Sequence, residues 1–256
     1  MVGANWCRGQ YCMAEDLKQS ETPAVLRLPH QPTPMDPLLT IAASDVVVDL
    51  QGHALLGHRS SALGLWLNGA GGMRYFSVKV RNGTIRTEKQ PVVFMTYAWN
   101  RKNKRFSETS AAAALASANV LNEYPVTGFV LENLTLQARD VAVILQGRNN
   151  VIRRCTIIGG NGAINLYGPG LVFEDNEIVL NASEVGANGE APVALYLEDA
   201  EGSVVRNNRI TIRGRVAGAE AIVLKNSSNV VVQNNTVNGG AQTYKLLDQQ
   251  SSVRGS

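Results

Sequence analysis

The sequence predicts an all-β solenoid in which parallel strands stack coil upon coil. Short apolar segments alternate with the period of two that a half-buried strand requires, as Ile222 and Leu224 do against Val223 and Lys225. A unit made of a strand, a polar corner and a second strand also recurs along most of the chain, and residues 219–238 hold a full copy. Recurrence of one such unit is typical of a solenoid.

The recurring corner aligns on its last inward apolar residue, and the anchors are Leu55, Ile85, Leu136, Ile157, Ile178, Ile210 and Val237. Their spacings are 30, 51, 21, 21, 32 and 27 residues, which indicates one unit per repeat with insertions in the loops. An antiparallel β-sandwich is the alternative fold, but a sandwich gives no reason for one corner to recur in register.

Two positions of each corner carry further information. Three residues before the anchors stand Gly52, Asn82, Asn133, Arg154, Asp175, Asn207 and Asn234. Gly and Asn tolerate left-handed backbone at little cost, so a positive φ is expected in this column. Two residues before the anchors stand His53, Gly83, Leu134, Cys155, Asn176, Asn208 and Asn235. Stacked inward Asn side chains in that column are expected to hydrogen-bond from coil to coil.

The motifs VVVDLQGHAL, VKVRNGTI, LVFEDNEI, SVVRNNRI and VVVQNNTV lie between Leu38 and Asn238. They resemble the right-handed parallel β-helix of the pectin-lyase-like superfamily. The resemblance implies a single-stranded right-handed parallel β-helix of about eight to nine coils. It implies the fold rather than an activity, because this fold hosts lyases, hydrolases, epimerases, tailspikes and non-catalytic proteins.

Breaks in the repeat predict the domain organisation. Residues 1–37 hold five of the nine prolines and are predicted to be an N-terminal cap, followed by the parallel β-helix over 38–239. The repeat lapses over 98–127, where a basic loop precedes an Ala-rich segment that is either a helix or a degenerate coil. The basic loop could bind an acidic sugar polymer or simply be solvated. Residues 240–256 are predicted to be a C-terminal cap and tail.

Composition limits the partners. The formal net charge is +3, from 24 basic and 21 acidic residues, which is too balanced to indicate nucleic-acid binding. No apolar run of 18 residues occurs, so no membrane partner is expected. The N-terminus lacks a secretory pattern. Because proteins of the resembled superfamily are usually exported, secretion or a periplasmic location after loss of a signal is expected, and a cytoplasmic location stays open.

Cysteine and histidine carry little sign of chemistry. Cys155 stands in the inward corner column and is predicted to be buried and structural. Cys7 and Cys12 could form a small disulfide loop or stay free. His53 and His58 are either a catalytic pair or a corner residue beside a solvated loop residue. No cluster of carboxylates, His or Cys indicates a metal, and no cofactor is expected.

The strand before each corner predicts an outer wall, formed by the side chains that point away from the core. The first predicted column is Trp66, Phe94, Ile144, Asn165, Tyr196 and Val223, and the second is Asn68, Thr96, Gln146, Tyr167, Glu198 and Lys225. Parallel pairing stacks such residues about 4.8 Å apart. Aromatic rings suit sugar rings, and a carboxylate, phenol or amine could move protons.

Specific roles follow for these wall residues. The predicted catalytic group is Glu198, Lys225, Tyr196 and Tyr167, with Lys225 stabilising a developing anion and Glu198 or Tyr167 as the base. Predicted substrate-binding residues are Trp66, Phe94, Asn68, Gln146 and Asn165. Glu198 and Glu220 are a further carboxylate pair that could approach each other. The alternative is that the wall packs against the insertion or against a partner subunit in a homo-oligomer.

Family signatures narrow the function without naming it. The chain lacks the NTD, DD, GHG and RIK motifs of polygalacturonase-like members, the Asp-Pro-His of mannuronan-epimerase-like members and the calcium-binding aspartate of pectate lyases. The leading hypothesis is a carbohydrate-active protein that binds or acts on a polysaccharide, in a lyase-, hydrolase- or epimerase-like manner. The alternatives are a non-catalytic adhesion or assembly β-helix, or a small-molecule cyclase or isomerase that uses the groove as a pocket.

Overall fold

The computed structural model describes most of the chain as a three-faced parallel solenoid. It describes residues 3–5, 9–15, 17–18, 36–41, 43–58, 62–68, 76–95, 98–100, 105–107, 127–160, 162–182, 191–214, 216–239 and 242–255. Among these residues there is no helix, and thus no helix long and apolar enough to cross a membrane. The all-β parallel solenoid predicted from the sequence is confirmed.

Face A is a sheet of nine parallel strands, one for each coil. In chain order they are β1 (Gly3–Asn5), β4 (Asp36–Ile41), β7 (Ala62–Asn68), β9 (Gln90–Met95), β13 (Val143–Gln146), β16 (Gly162–Tyr167), β19 (Val193–Glu198), β22 (Glu220–Lys225) and β25 (Lys245–Leu246).

Faces B and C form one bent sheet, because β8 (Val78–Thr87) and β12 (Val130–Ala138) run through the corner between them. The other strands of face B are β2 (Gly9–Cys12), β5 (Val46–Asp49), β14 (Val151–Arg153), β17 (Val172–Glu174), β20 (Val204–Arg206), β23 (Val230–Gln233) and β26 (Val253–Arg254). The other strands of face C are β3 (Leu17–Lys18), β6 (Ala54–Gly57), β15 (Thr156–Gly159), β18 (Glu177–Ala182), β21 (Arg209–Gly214) and β24 (Thr236–Asn238).

The corner between faces B and C follows the predicted register. All seven residues of the predicted left-handed column have φ between 53° and 86°. The anchor residues pair strand to strand in the predicted order, from Leu55 with Ile85 through to Ile210 with Val237. The inward apolar residues of all three faces form one continuous core.

The inward Asn residues of this corner form a hydrogen-bonded ladder. The backbone N–H of Asn176 donates to Oδ1 of Asn208 at 3.0 Å, and the N–H of Asn208 donates to Oδ1 of Asn235 at 3.0 Å. The rung before them is Cys155, whose N–H donates to Oδ1 of Asn176 at 2.9 Å. Each buried amide is satisfied by the coils on either side, as predicted.

Cys155 is 2 % exposed, and its Sγ lies 3.3 Å from the carbonyl oxygen of Arg153. Burial raises the pKa of this thiol to about 11. The thiol is therefore protonated at neutral pH, as expected of a structural cysteine. Cys12 is a free exposed thiol, and Cys7 lies outside the described residues.

Parallel pairing extends beyond the predicted bounds at both ends. Strands β1, β2 and β3 pair in parallel with β4, β5 and β6, so a coil lies inside the segment predicted as the N-terminal cap. Strands β25 and β26 pair with β22 and β23, so the predicted C-terminal tail adds another coil. Within the predicted insertion, β10 (Ala98–Asn100) and β11 (Arg105–Ser107) pair in antiparallel orientation. The Ala-rich segment, predicted to be a helix or a degenerate coil, falls almost wholly outside the described residues.

Candidate functional site

The outer wall of face A is built by strand register. Its first column is Trp66, Val93, Ile144, Asn165, Tyr196, Val223 and Lys245. Its second column has the register positions of Asn68, Met95, Gln146, Tyr167, Glu198 and Lys225. Between these columns, Leu145, Leu166, Leu197 and Leu224 are buried in the solenoid core. The side chains of the second column from Gln146 onward therefore leave the opposite side of the sheet.

The predicted place of Phe94 in this wall is wrong by one residue. Val93 pairs with Trp66 and Ile144, whereas Phe94 pairs with Leu145 on the core side. Phe94 is fully buried, and its ring packs edge-on against Phe129 with centroids 5.0 Å apart. The three consecutive apolar residues 92–94 offer no polar contrast, so a period of two cannot fix which of them faces inward.

Glu198 is the centre of the wall's polar group. Its Oε1 accepts a hydrogen bond from Nζ of Lys225 at 2.6 Å, and its Oε2 accepts one from the hydroxyl of Tyr196 at 2.9 Å. Glu198 and Lys225 face each other across β19 and β22, and Tyr196 lies two residues earlier on the same face. The three side chains therefore form one ion-paired, hydrogen-bonded group, here called the Glu198 triad.

Two tyrosine rings flank this carboxylate. Tyr167 pairs with Glu198 by register, and its ring meets that of Tyr196 edge-on, with centroids 6.0 Å apart. Burial and the charge of Glu198 raise the pKa of both phenols well above their usual value of 10. Both therefore stay protonated at neutral pH. This argues against the predicted role of Tyr167 as a base and favours hydroxyl groups that hydrogen-bond a ligand.

Exposure increases along the second column toward the last coils. Gln146 and Tyr167 keep 1 % and 4 % of their surface exposed, whereas the side chains of Glu198 and Lys225 keep 12 % and 35 %. Other residues of the chain thus bury the second column near β13. The part of this column that is open to solvent lies at Glu198 and Lys225.

Trp66 marks the buried end of the wall. It forms a small apolar cluster with Leu63 and Val93 that is separate from the main core, and it is 7 % exposed. Its indole Nε1 is buried and has no hydrogen-bond partner in the part of the chain that the structure describes. Asn165 is half-buried next to Tyr196 in the first column, and Asn68 is placed only by its register.

Two residues that the sequence pattern did not predict, Lys245 and Leu247, continue the wall onto the last coil. Lys245 follows Val223 by register, and its Nζ lies 2.9 Å from Oε1 of Glu220. Leu247 follows Lys225, because its N–H donates to the carbonyl of Leu224 one step beyond the paired Leu246. The signal was present in the sequence, since 246–248 (LLD) matches 224–226 (LKN) at the end of the preceding coil.

Glu220 does not form a catalytic pair with Glu198. Glu220 pairs with Val193, which lies five residues before Glu198 on the same strand. At about 3.3 Å per residue this offset is roughly 17 Å along the strand. Glycosidase carboxylates lie about 5–9.5 Å apart. The predicted approach of these two carboxylates is therefore wrong.

Face B carries a second charged array, in which ion pairs join residues of neighbouring strands. Glu132 contacts Nζ of Lys79 at 2.9 Å, Nη2 of Arg153 at 3.0 Å and Nη2 of Arg154 at 2.5 Å. The hydrogen bond from Lys79, together with Arg153, lowers the pKa of Glu132 to about 2 despite its burial. Farther along face B, Nη2 of Arg206 lies 2.7 Å from Oε2 of Glu174. Cross-strand ion pairs of this kind hold coil to coil.

No group of three potential metal ligands occurs among the residues that the structure describes. The family model described as "Right handed beta helix region" matches residues 119–255, which is more than half of the chain. Comparison with curated proteins and with solved structures returned no match.

Proposed function

Because this chain belongs to the right-handed β-helix family, we propose that it binds a glycan on the outer wall of face A. The observation that carries the proposal is the Glu198 triad, which joins a carboxylate, an amine and a phenol at the accessible end of the wall. A sugar presents hydroxyl groups that need both donors and acceptors, and the triad offers both within one group.

The same geometry favours binding over chemistry. Glu198 already accepts hydrogen bonds from Lys225 and Tyr196, so its negative charge is largely compensated. Both neighbouring phenols have raised pKa values and hold their protons. A phenol acts as a base only after it has lost its proton. The Glu198 carboxylate has lone pairs left, which can accept hydrogen bonds from ligand hydroxyl groups without any proton transfer.

Binding to soluble polysaccharides, measured by affinity electrophoresis and calorimetry, tests the proposal. Glu198→Gln and Lys225→Met each remove a charge-assisted hydrogen bond, so we expect a loss of affinity of about tenfold to a hundredfold. Glu174→Gln is the matched control, because this carboxylate makes an ion pair of similar length on face B. The affinity of the Glu174→Gln variant for the polysaccharide should stay at the wild-type value.

Three results decide between functions. If no polysaccharide in a broad screen binds, or if Glu198→Gln behaves like Glu174→Gln, the proposal fails. If sedimentation shows that the Glu198 and Lys225 variants lose an oligomer present in the wild type, the wall is an assembly surface instead. If new reducing or unsaturated ends form with the wild type but not with Glu198→Gln, the triad is catalytic as well.

A further inference from the structure

The charged residues of the outer wall are already paired with one another. Lys225 lies 2.6 Å from Glu198, and Lys245 lies 2.9 Å from Glu220. These are the lysines that stand at the accessible end of the wall, where β22 and β25 meet. Each pair sums to zero charge, so neither pair offers a net positive charge to a carboxylate or sulfate on a ligand.

An anionic sugar would therefore meet electrostatic repulsion at this site. To reach Lys225 it has to approach the Glu198 carboxylate, which has the same sign of charge and shares that lysine. A hydroxyl group faces no such conflict. Lys225 has three N–H donors, and Glu198 accepts a hydrogen bond from one of them.

The last coil adds an apolar contact beside these polar groups. Leu247 follows Lys225 in the second column, and it is 49 % exposed. An exposed aliphatic side chain next to hydrogen-bonding groups suits the C–H face of a sugar ring, which is apolar while its rim is polar. Leu246 is its natural comparison, because it is 40 % exposed but pairs with Leu224 of the core column.

We infer that the wall selects a neutral glycan that lies across β19, β22 and β25, with its hydroxyl groups at the Glu198 triad and a ring face on Leu247. The inference rests on the proposed function and adds the substrate class and a contact on the last coil. Lys245 and Glu220 form the polar border of this site.

Calorimetry with matched soluble glycans tests the substrate class. The panel pairs neutral glucans, xylans, mannans and galactans with uronate polymers of similar length, each at about 0.05 M and about 0.5 M salt. We expect a neutral member to bind with an affinity that changes less than twofold with salt, because no net charge is neutralised. Tight, salt-sensitive binding of uronate polymers alone overturns the inference and leaves the proposed function standing. Failure of every member overturns both.

Two leucine variants test the contact on the last coil. Leu247→Ala should weaken binding of the neutral glycan by about fivefold, because the apolar face of the sugar ring buries less area against the protein. Leu246→Ala removes the same atoms from the core side and should leave the affinity unchanged. Equal effects of the two variants, or no effect of Leu247→Ala, overturn this placement. Circular dichroism on both variants controls for loss of the final coil.

Discussion

Replacement of Asn208 by Leu tests the ladder on which the solenoid is stacked. The side chain of Asn208 takes part in four hydrogen bonds and is 2 % exposed. Its Oδ1 accepts from both N and Nδ2 of Asn176, and its Nδ2 donates to the carbonyl of Phe173 and to Oδ1 of Asn235. Leucine has the same branched arrangement of side-chain heavy atoms but can make none of these bonds.

The cost follows from which groups lose their partners. The buried backbone N–H of Asn176 loses its acceptor, which costs about 1–3 kcal/mol. Its Nδ2 keeps the carbonyl of Ile152, and Oδ1 of Asn235 keeps the N–H of Asn208, so those losses are smaller. The total is roughly 2–4 kcal/mol of unfolding free energy. For a chain of this size that corresponds to a fall in Tm of about 6–12 °C.

Thermal and urea unfolding measure this loss, and amide hydrogen exchange locates it. Exchange at Asn176 should accelerate in Asn208→Leu, because its N–H no longer has the side-chain acceptor. Asn181→Leu is the control, since Asn181 is exposed on β18. If both variants unfold at the wild-type midpoint, the ladder contributes nothing to stability and the reasoning about buried amides is refuted.

Two further predictions concern other buried groups. Cys155 is 2 % exposed and burial raises its pKa to about 11, so it should resist a thiol reagent in the folded protein and react fully in denaturant. Fast labelling of Cys155 before unfolding would contradict this. Glu132 has a folded pKa of about 2, below the usual 4.5, so its stabilising effect is complete above pH 4.5 and is lost as pH falls toward 2. Glu132→Gln should therefore show a shallower fall in denaturation midpoint across this range than the wild type, and equal slopes would exclude the effect.

The corner of the solenoid could be predicted because its backbone conformation and its burial restrict the residue types that fit there. A left-handed φ strongly favours Gly, Asn and Asp, and a buried amide has to meet another polar group. Arg154 departs from these residue types, yet it has the positive φ predicted for its position, at 53°. Its guanidinium donates to Oδ1 of Asn133 and contacts Glu132, which offsets the cost of this backbone conformation.

The first coil could not be predicted because it lacks this signal. Leu17 pairs with Leu55 and so stands at the register position of an anchor, but Ala14 stands three residues before it instead of Asn or Gly. The shift of Phe94 has a different cause, since a wholly apolar strand hides its register. The placement of the Glu198 triad was predictable, because Leu195 and Leu197 alternate with Tyr196 and Glu198, and the equivalent strand ends in Leu224 and Lys225. Which end of the wall is open to solvent could not be predicted, because that depends on how the rest of the chain covers the wall.

The contrast between corner and wall bears on where function lies in this molecule. Each corner residue is constrained by the coils above and below it, so the same residue types recur from Asn82 to Asn234. Wall residues point away from the solenoid core, and stacking of the coils does not require one residue type to recur there. In the first wall column valine occurs twice, and the other positions hold Trp66, Ile144, Asn165, Tyr196 and Lys245. An ion-paired triad at one point of such an irregular column is not required by the fold, which makes it the place where a ligand is expected.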